Sequence, residues 1–347
     1  MHNVNSPPSS SVKMTDVARL AGVSHQTVSR VVNKPEIVSR EVRDRVEVAI
    51  RQLNYRPHTS ARALASLSSR TIGIVSFGLA QYGPSVALTG IVDEARRAGY
   101  SANLVTLADV DRTHMRSALD YLVADAVDGI VIIAPIEAAM EAIEGMSTGV
   151  PLVVFEPGAH EGTTNVGTDE AAGAAAATRY LLELGHHTVH HVAGPAGWLG
   201  ASARQRGWKG ELEAAGRPTP DPIVGDWTTQ SGYDAGLIIA RDPTLTAVFV
   251  ANDQMALGLM KALSELNIGV PEDVSVIGFD DVPECRYFIP ALSTMSVDFE
   301  RVGRLAVDSI LSMIGVLDDR VARYIVPELV IRSSTAPPPP TQRSASA

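Results

Sequence analysis

Cysteine is almost missing: Cys285 is the single one in 347 residues, which excludes an intrachain disulfide and any metal centre built from several thiolates. Its thiol is expected to be a buried or half-buried spectator. No apolar run approaches the roughly 18–20 residues that a bilayer-spanning helix requires, and the polar start MHNVNSPPSSS lacks the apolar centre of a signal peptide. A cytoplasmic, nucleoid-associated protein with no membrane partner is therefore expected. No P-loop is present, and no Gly-x-Ser-x-Gly elbow follows a strand pattern. The pairs His186-His187 and His190-His191 read as solvated turn and strand residues, so neither a metal nor a cofactor is expected. Leu-rich heptads do not follow Thr335, which points to a homodimer and no larger assembly.

Positive charge is scarce over most of the chain and concentrated at its start. Residues 1–70 hold 11 Lys and Arg against 5 Asp and Glu, whereas the remainder holds 18 against 34. A basic head on an acidic body suits phosphate binding by the head alone. The composition is otherwise that of an ordinary globular protein, 45% hydrophobic and 20% charged, and the length allows two or three domains with complete cores.

Within the head, Met14 to Asn33 (MTDVARLAGVSHQTVSRVVN) contains two short helical patterns joined by a tight turn. Val17, Ala18, Leu20 and Ala21 form the inner face of the first, Gly22 supplies the permissive backbone of the turn, and Ser24 caps the second. With Val28, Val31 and Val32 turned inward, His25, Gln26, Thr27, Ser29 and Arg30 stand on the outer side. Such a face fits the major groove of duplex DNA, where Gln pairs with adenine and Arg with guanine through two hydrogen bonds each. Ser39 is expected to cap a third helix carrying Val42, Val46, Ala49, Ile50 and Leu53, and Asn54-Tyr55-Arg56-Pro57 ends it. Residues 12–57 thus form an all-α helix-turn-helix domain. His58 to Ser69 (HTSARALASLSS) is too short for a stable isolated helix. It reads either as a linker or as a hinge helix that folds only against DNA and its twin.

From Arg70 the pattern changes to β-branched runs alternating with helical stretches. The runs are 71–76, 102–106, 129–134, 151–155, 188–193, 247–251 and 274–278, with helices such as 84–98, 171–184 and 254–266 between them. This alternation predicts an α/β fold of doubly wound parallel sheets, and the length of the segment predicts two lobes. Ligands in such architecture bind at the carboxyl ends of the strands, which a cleft between lobes would gather around one molecule. The core is expected over 70–335, with one lobe at about 70–167 and 298–324, the other at about 168–297 and 325–335, and a disordered tail at 336–347.

Seven blocks occur in order: DVARLAGVSHQTVSRVVN (16–33), LNYRPH (53–58), ARQRGW (203–208), GDW (225–227), VANDQMALG (250–258), GFDD (278–281) and IPALST (289–294). Together they make the chain, from about Val12 to Thr335, resemble the LacI/GalR family of bacterial transcription regulators. The resemblance implies a periplasmic-binding-protein-like core and a homodimer on near-palindromic operator DNA. It implies that His25, Gln26 and Arg30 read base edges, with Thr27 on the same helix. Ser24, Ser29, Asn33, Ser39 and Tyr55 would hold phosphates. Leu64 would wedge into the minor groove, on a DNA-facing segment that includes His58 and Ala61. Two departures stand out: Lys13 occupies a position where the family has Thr or Ser, and His58 one where it has Asn.

In the core, Arg204 can clasp neighbouring hydroxyls with its fork of donors, and Asn252 and Asp280 follow strands. Trp227 offers a flat wall for a sugar ring, Phe299 extends it, Glu156 follows the strand ending at Phe155, and Pro84 with Tyr82 forms part of the roof in the loop 78–85. Ile133 stands where the galactoside-responding member has a polar residue, so galactoside recognition is not implied. These residue types favour a small sugar effector, and the chain reads as a non-enzymatic repressor of carbohydrate-utilisation genes. The alternatives are a sugar-binding transport protein and a glycoside-acting enzyme using Asp280-Asp281 with Glu156 as its carboxylates.

Overall fold

The computed structural model describes residues 12–33, 37–55, 68–156, 164–317 and 323–340. The chain divides into two units, Met1–Ser69 and Arg70–Ala347. In the first, α1 (Met14–Ala21), α2 (His25–Asn33) and α3 (Arg40–Gln52) enclose a small core that includes Val17, Ala21, Val28, Val31, Val46 and Ala49. α1 ends where Gly22 takes a φ of 64°, a left-handed conformation that costs glycine little. Leu20, expected on the inner face, is 50% exposed. At roughly 100° of helical rotation per residue it falls well off the stripe through Val17 and Ala21. Ser39 occupies the N-cap position of α3, but its side chain makes no capping bond. At the start of α1 an ammonium cannot accept a bond, so Lys13 gives no side-chain cap. Instead its backbone N–H donates to the Asp16 carboxylate at 3.0 Å, which also places a negative charge in the first turn.

The second unit holds two six-stranded sheets. In the first lobe the order is β11-β5-β4-β3-β1-β2, all parallel, from β1 (Thr71–Ser76), β2 (Ser101–Thr106), β3 (Gly129–Ile133), β4 (Leu152–Phe155), β5 (Thr164–Thr168) and β11 (Tyr324–Ile325). In the second lobe it is β12-β10-β9-β8-β6-β7, from β6 (His190–Ala193), β7 (Ile223–Val224), β8 (Ala247–Val250), β9 (Ser275–Asp280), β10 (Ser293–Ser296) and β12 (Glu328–Val330). There only β12 runs antiparallel to its neighbour. The central strands β3, β8 and β9 are buried along their whole length, as sheets covered on both faces require. The chain passes between lobes after Thr168, after Ser296 and after Ile325. The lobes also meet through backbone bonds from Glu137 N–H to the Gly197 carbonyl (2.9 Å) and from Leu199 N–H to the Pro135 carbonyl (3.0 Å).

Three further expectations are corrected. His186, His190 and His191 are buried instead of solvated. His186 bonds Thr246, Ser275 and the Ala336 carbonyl, while His191 donates from Nδ1 to the Phe249 carbonyl between stacked Trp208 and Phe249 rings. Burial lowers the His191 pKa to about 4, which keeps the ring neutral. Tyr82 and Pro84 lie in the first turn of α4 (Tyr82–Arg97), a place where proline loses no helical bond. The expected disordered tail does not begin at Ala336, whose N–H donates to Ser275 Oγ at 2.9 Å and whose carbonyl accepts from the same hydroxyl.

Candidate functional site

The outward face of α2 carries His25, Gln26 and Arg30, all exposed, with Ser29 half-buried beside them. Ser24 caps this helix: its Oγ accepts from the Thr27 N–H at 3.1 Å and contacts the Thr27 hydroxyl at 2.9 Å. Thr27 is thus committed to the cap. Tyr55, expected to hold a phosphate, is 6% exposed and packs in the core among the three helices. Asn33 ends α2. His58, Ala61 and Leu64 lie outside the described residues, as does the side chain of Asn33.

Between the lobes of the second unit, all seven core candidates line one cavity: Pro84, Glu156, Arg204, Trp227, Asn252, Asp280 and Phe299. The topology explains why. Glu156 follows β4, Asn252 follows β8 and Asp280 ends β9, so each stands at a carboxyl end of a parallel strand. Sequence reasoning missed Glu170 and Trp198, which line the same cavity. Ile133 is fully buried in β3 and is not part of the lining. Trp198 is tilted against Phe77 of the first lobe, with ring centroids 6.3 Å apart, and edge-on to Trp227 at 5.8 Å. The Trp227 ring sits on Gly194, where a Cβ would come within 2.1 Å of it. Its Nε1 is buried without a hydrogen-bond partner.

Arg204 is the electrostatic centre. Its Nε donates to Glu170, its Nη1 to the Ala251 carbonyl and its Nη2 to Asp280 Oδ1 at 3.1 Å, while the guanidinium lies 3.8 Å above the Phe279 ring. Glu170 is steadied in turn by the Thr168 hydroxyl at 2.6 Å. Asn252 is an N-cap: Oδ1 accepts from Met255 N–H, and Nδ2 donates to the Trp227 carbonyl and to Gln254. It therefore fixes the loop that presents Trp227, whose backbone has a φ of 74°. Asp253 accepts from Thr294 Oγ1 at 2.6 Å and from Val282 N–H at 2.9 Å. Burial still pushes its carboxyl up to about 6. Burial also raises Asp280, with Arg204 pulling the other way.

Burial raises the Glu156 pKa to about 7, so the folded state binds this proton more tightly than the unfolded chain does. Its stabilising effect is full below about pH 4.5 and is lost as pH rises through 7. Buried neutral His191 gives the opposite slope between about pH 4 and 6.5, so the comparison is with Glu156→Gln and not with the raw curve. Relative to wild type, Glu156→Gln is expected to gain roughly 2–3 kcal/mol between pH 4.5 and 7.5, read from urea unfolding. A constant difference across that range would show that Glu156 is ionised throughout.

A helix-turn-helix unit followed by a two-lobed core with an interlobe cavity defines a class, the ligand-responsive DNA-binding regulators. Residues 13–58 match the family described as bacterial regulatory proteins, lacI family, and residues 178–335 match the periplasmic binding protein-like domain. The chain is 34% identical to the lactose operon repressor of Escherichia coli (strain K12) over 310 residues, covering 87% of this chain and 84% of that one. It is 33% identical to the PurR repressor of Haemophilus influenzae over 330 residues, covering 92% and 97%. A crystal structure of the lac repressor dimer bound to operator and the anti-inducer ONPF superposes with a TM-score of 0.85 at 31% identity, covering 94% of this chain and all of that one. The chain belongs to the LacI family. It is a DNA-binding transcriptional repressor and not an enzyme, which removes both alternative readings. Among the described residues, no helix is long and apolar enough to cross a membrane, and no cluster of His, Cys, Asp or Glu is suited to a metal ion.

Proposed function

We propose that the protein acts in the cytoplasm, at the nucleoid, as a homodimer. It represses carbohydrate-utilisation genes from a near-palindromic operator and leaves that operator when a small sugar enters the interlobe cavity. The observation that carries the effector reading is the gathering of Pro84, Glu156 and Phe299 from one lobe and Arg204, Trp227, Asn252 and Asp280 from the other around one cavity. In this reading His25, Gln26 and Arg30 contact base edges. Ser24, Ser29, Asn33 and Ser39 contact phosphates. A ligand that prefers one arrangement of the lobes changes operator affinity by its differential affinity, typically ~1–3 kcal/mol per site.

The test is binding of the full chain to a library of palindromic duplexes at moderate salt, with and without a sugar panel. A selected duplex released by at least one sugar is the expected result, and no duplex preference at all would end the proposal. On the selected operator, Arg30→Ala is expected to cost ~1–3 kcal/mol and to relax specificity at one base pair per half-site. Unchanged affinity would remove Arg30 from the reading face.

A further inference from the structure

The cavity wall carries three carboxyl groups against a single cation, and burial pushes two of the three, Glu156 and Asp280, toward their neutral forms. Its lining, among the described residues, includes the carboxylates of Glu156, Glu170 and Asp280 and one basic side chain, Arg204, all four buried. Three of the Arg204 donors already serve Glu170, Asp280 and the Ala251 carbonyl. The Asn252 amide donates to Trp227 and Gln254. Trp227 Nε1 adds a buried, uncharged donor without a partner, and Tyr82, Phe155, Trp198 and Phe299 make much of the remaining wall aromatic.

From this balance we infer that the site sorts ligands by charge: a hydroxylated ligand that is neutral or bears an ammonium is admitted, and its carboxylate or phosphate counterpart is refused. The inference rests on the cavity being the sugar site. Hydroxyl and ammonium groups donate, and three carboxylates accept. An entering anion would instead lose its water among aromatic rings and meet a guanidinium already shared by two carboxylates, with a third carboxylate on the same wall. The preference is a property of Glu170 as much as of Glu156, since Glu170 takes up half of the cation that an acid would need.

The test is thermal shift of the full-length protein with matched sets on common hexose and pentose scaffolds, each as the neutral sugar, the amino sugar, the acid and the phosphate. The expected result is that at least one scaffold stabilises the protein in neutral or amino form, while its acidic forms bind at least about tenfold more weakly. An acidic form binding as well as its neutral parent overturns the charge rule and leaves the sugar reading standing. No shift from any scaffold in any charge state overturns both. At pH 8, above the Glu156 pKa of about 7, Glu156→Gln and Glu170→Gln each remove charge at nearly constant volume and should narrow the gap. If both fold by circular dichroism and the gap is unchanged, the carboxylates are not its cause and the inference fails.

Discussion

Arg204→Ala is expected to lower the free energy of unfolding by roughly 3–5 kcal/mol and to abolish the response to effector. A surface arginine would give neither effect. Here the guanidinium is buried with Glu170 and Asp280, so its removal leaves two carboxylates in a site walled by Phe279 and Trp227 with no shared cation. The loss is large because the residue holds the second lobe together as well as facing the cavity. Urea unfolding of the full chain measures the loss, and a change below about 1 kcal/mol would place the pair in the energetic class of exposed ion pairs. A triple variant, Arg204→Met with Glu170→Gln and Asp280→Asn, should recover much of the stability while still failing to respond. The destabilisation comes from stranded charge, whereas the response requires the site itself.

Gly258→Ala is the second large effect. Gly258 lies in α10 (Asp253–Glu265), which packs against α9 (Thr229–Ile239) with backbone touching backbone. A Cβ at Gly258 would stand 1.9 Å from the Thr229 carbonyl oxygen and 2.6 Å from Tyr233 N, and one at Gly232 would stand 2.0 Å from the Met255 carbonyl oxygen. Neither neighbour is the free end of a side chain, so the helices must separate over the buried strands β8 and β9. The expected cost is about 3 kcal/mol, at the upper end of overpacking changes. Gly210 in α8 (Leu199–Ala214) is the control, because nothing lies within 4 Å of its Cβ position. Gly210→Ala should be neutral or stabilising by up to ~1 kcal/mol through helix propensity. Equal melting temperatures for the two variants would refute the tight crossing.

Much of this was legible in the residues, and the exceptions share a cause. β1 is legible because Ile72, Ile74 and Val75 make a short apolar run, but β5 (TNVGT) and β10 (STMS) carry no such run and become strands through pairing with their neighbours. His186, His190 and His191 read as polar, and long-range bonds to Thr246, Asp242 and the Phe249 carbonyl are what allow their burial. Glu170 follows one of the unread strands, so no strand end announced it. Trp198 sits in a loop whose partner, Ile136, lies in the other lobe, a pairing that no local pattern encodes. Five of the core candidates were accessible for the opposite reason: Glu156 follows a strong strand, and Arg204, Trp227, Asn252 and Asp280 belong to distinctive blocks.

The anchoring of Ala336 also bears on handling the protein. Composition invites trimming at the first proline, yet Ser293 N–H donates to Ser334 Oγ, that hydroxyl donates to the Val276 carbonyl, and Ala336 closes on Ser275 and His186. These few residues stitch the polypeptide terminus across β9 and β10. Affinity tags and fluorescent fusions should therefore join beyond residue 340, while expression clones ending before 334 would leave a ligand-sensing lobe with frayed strands and poor yield.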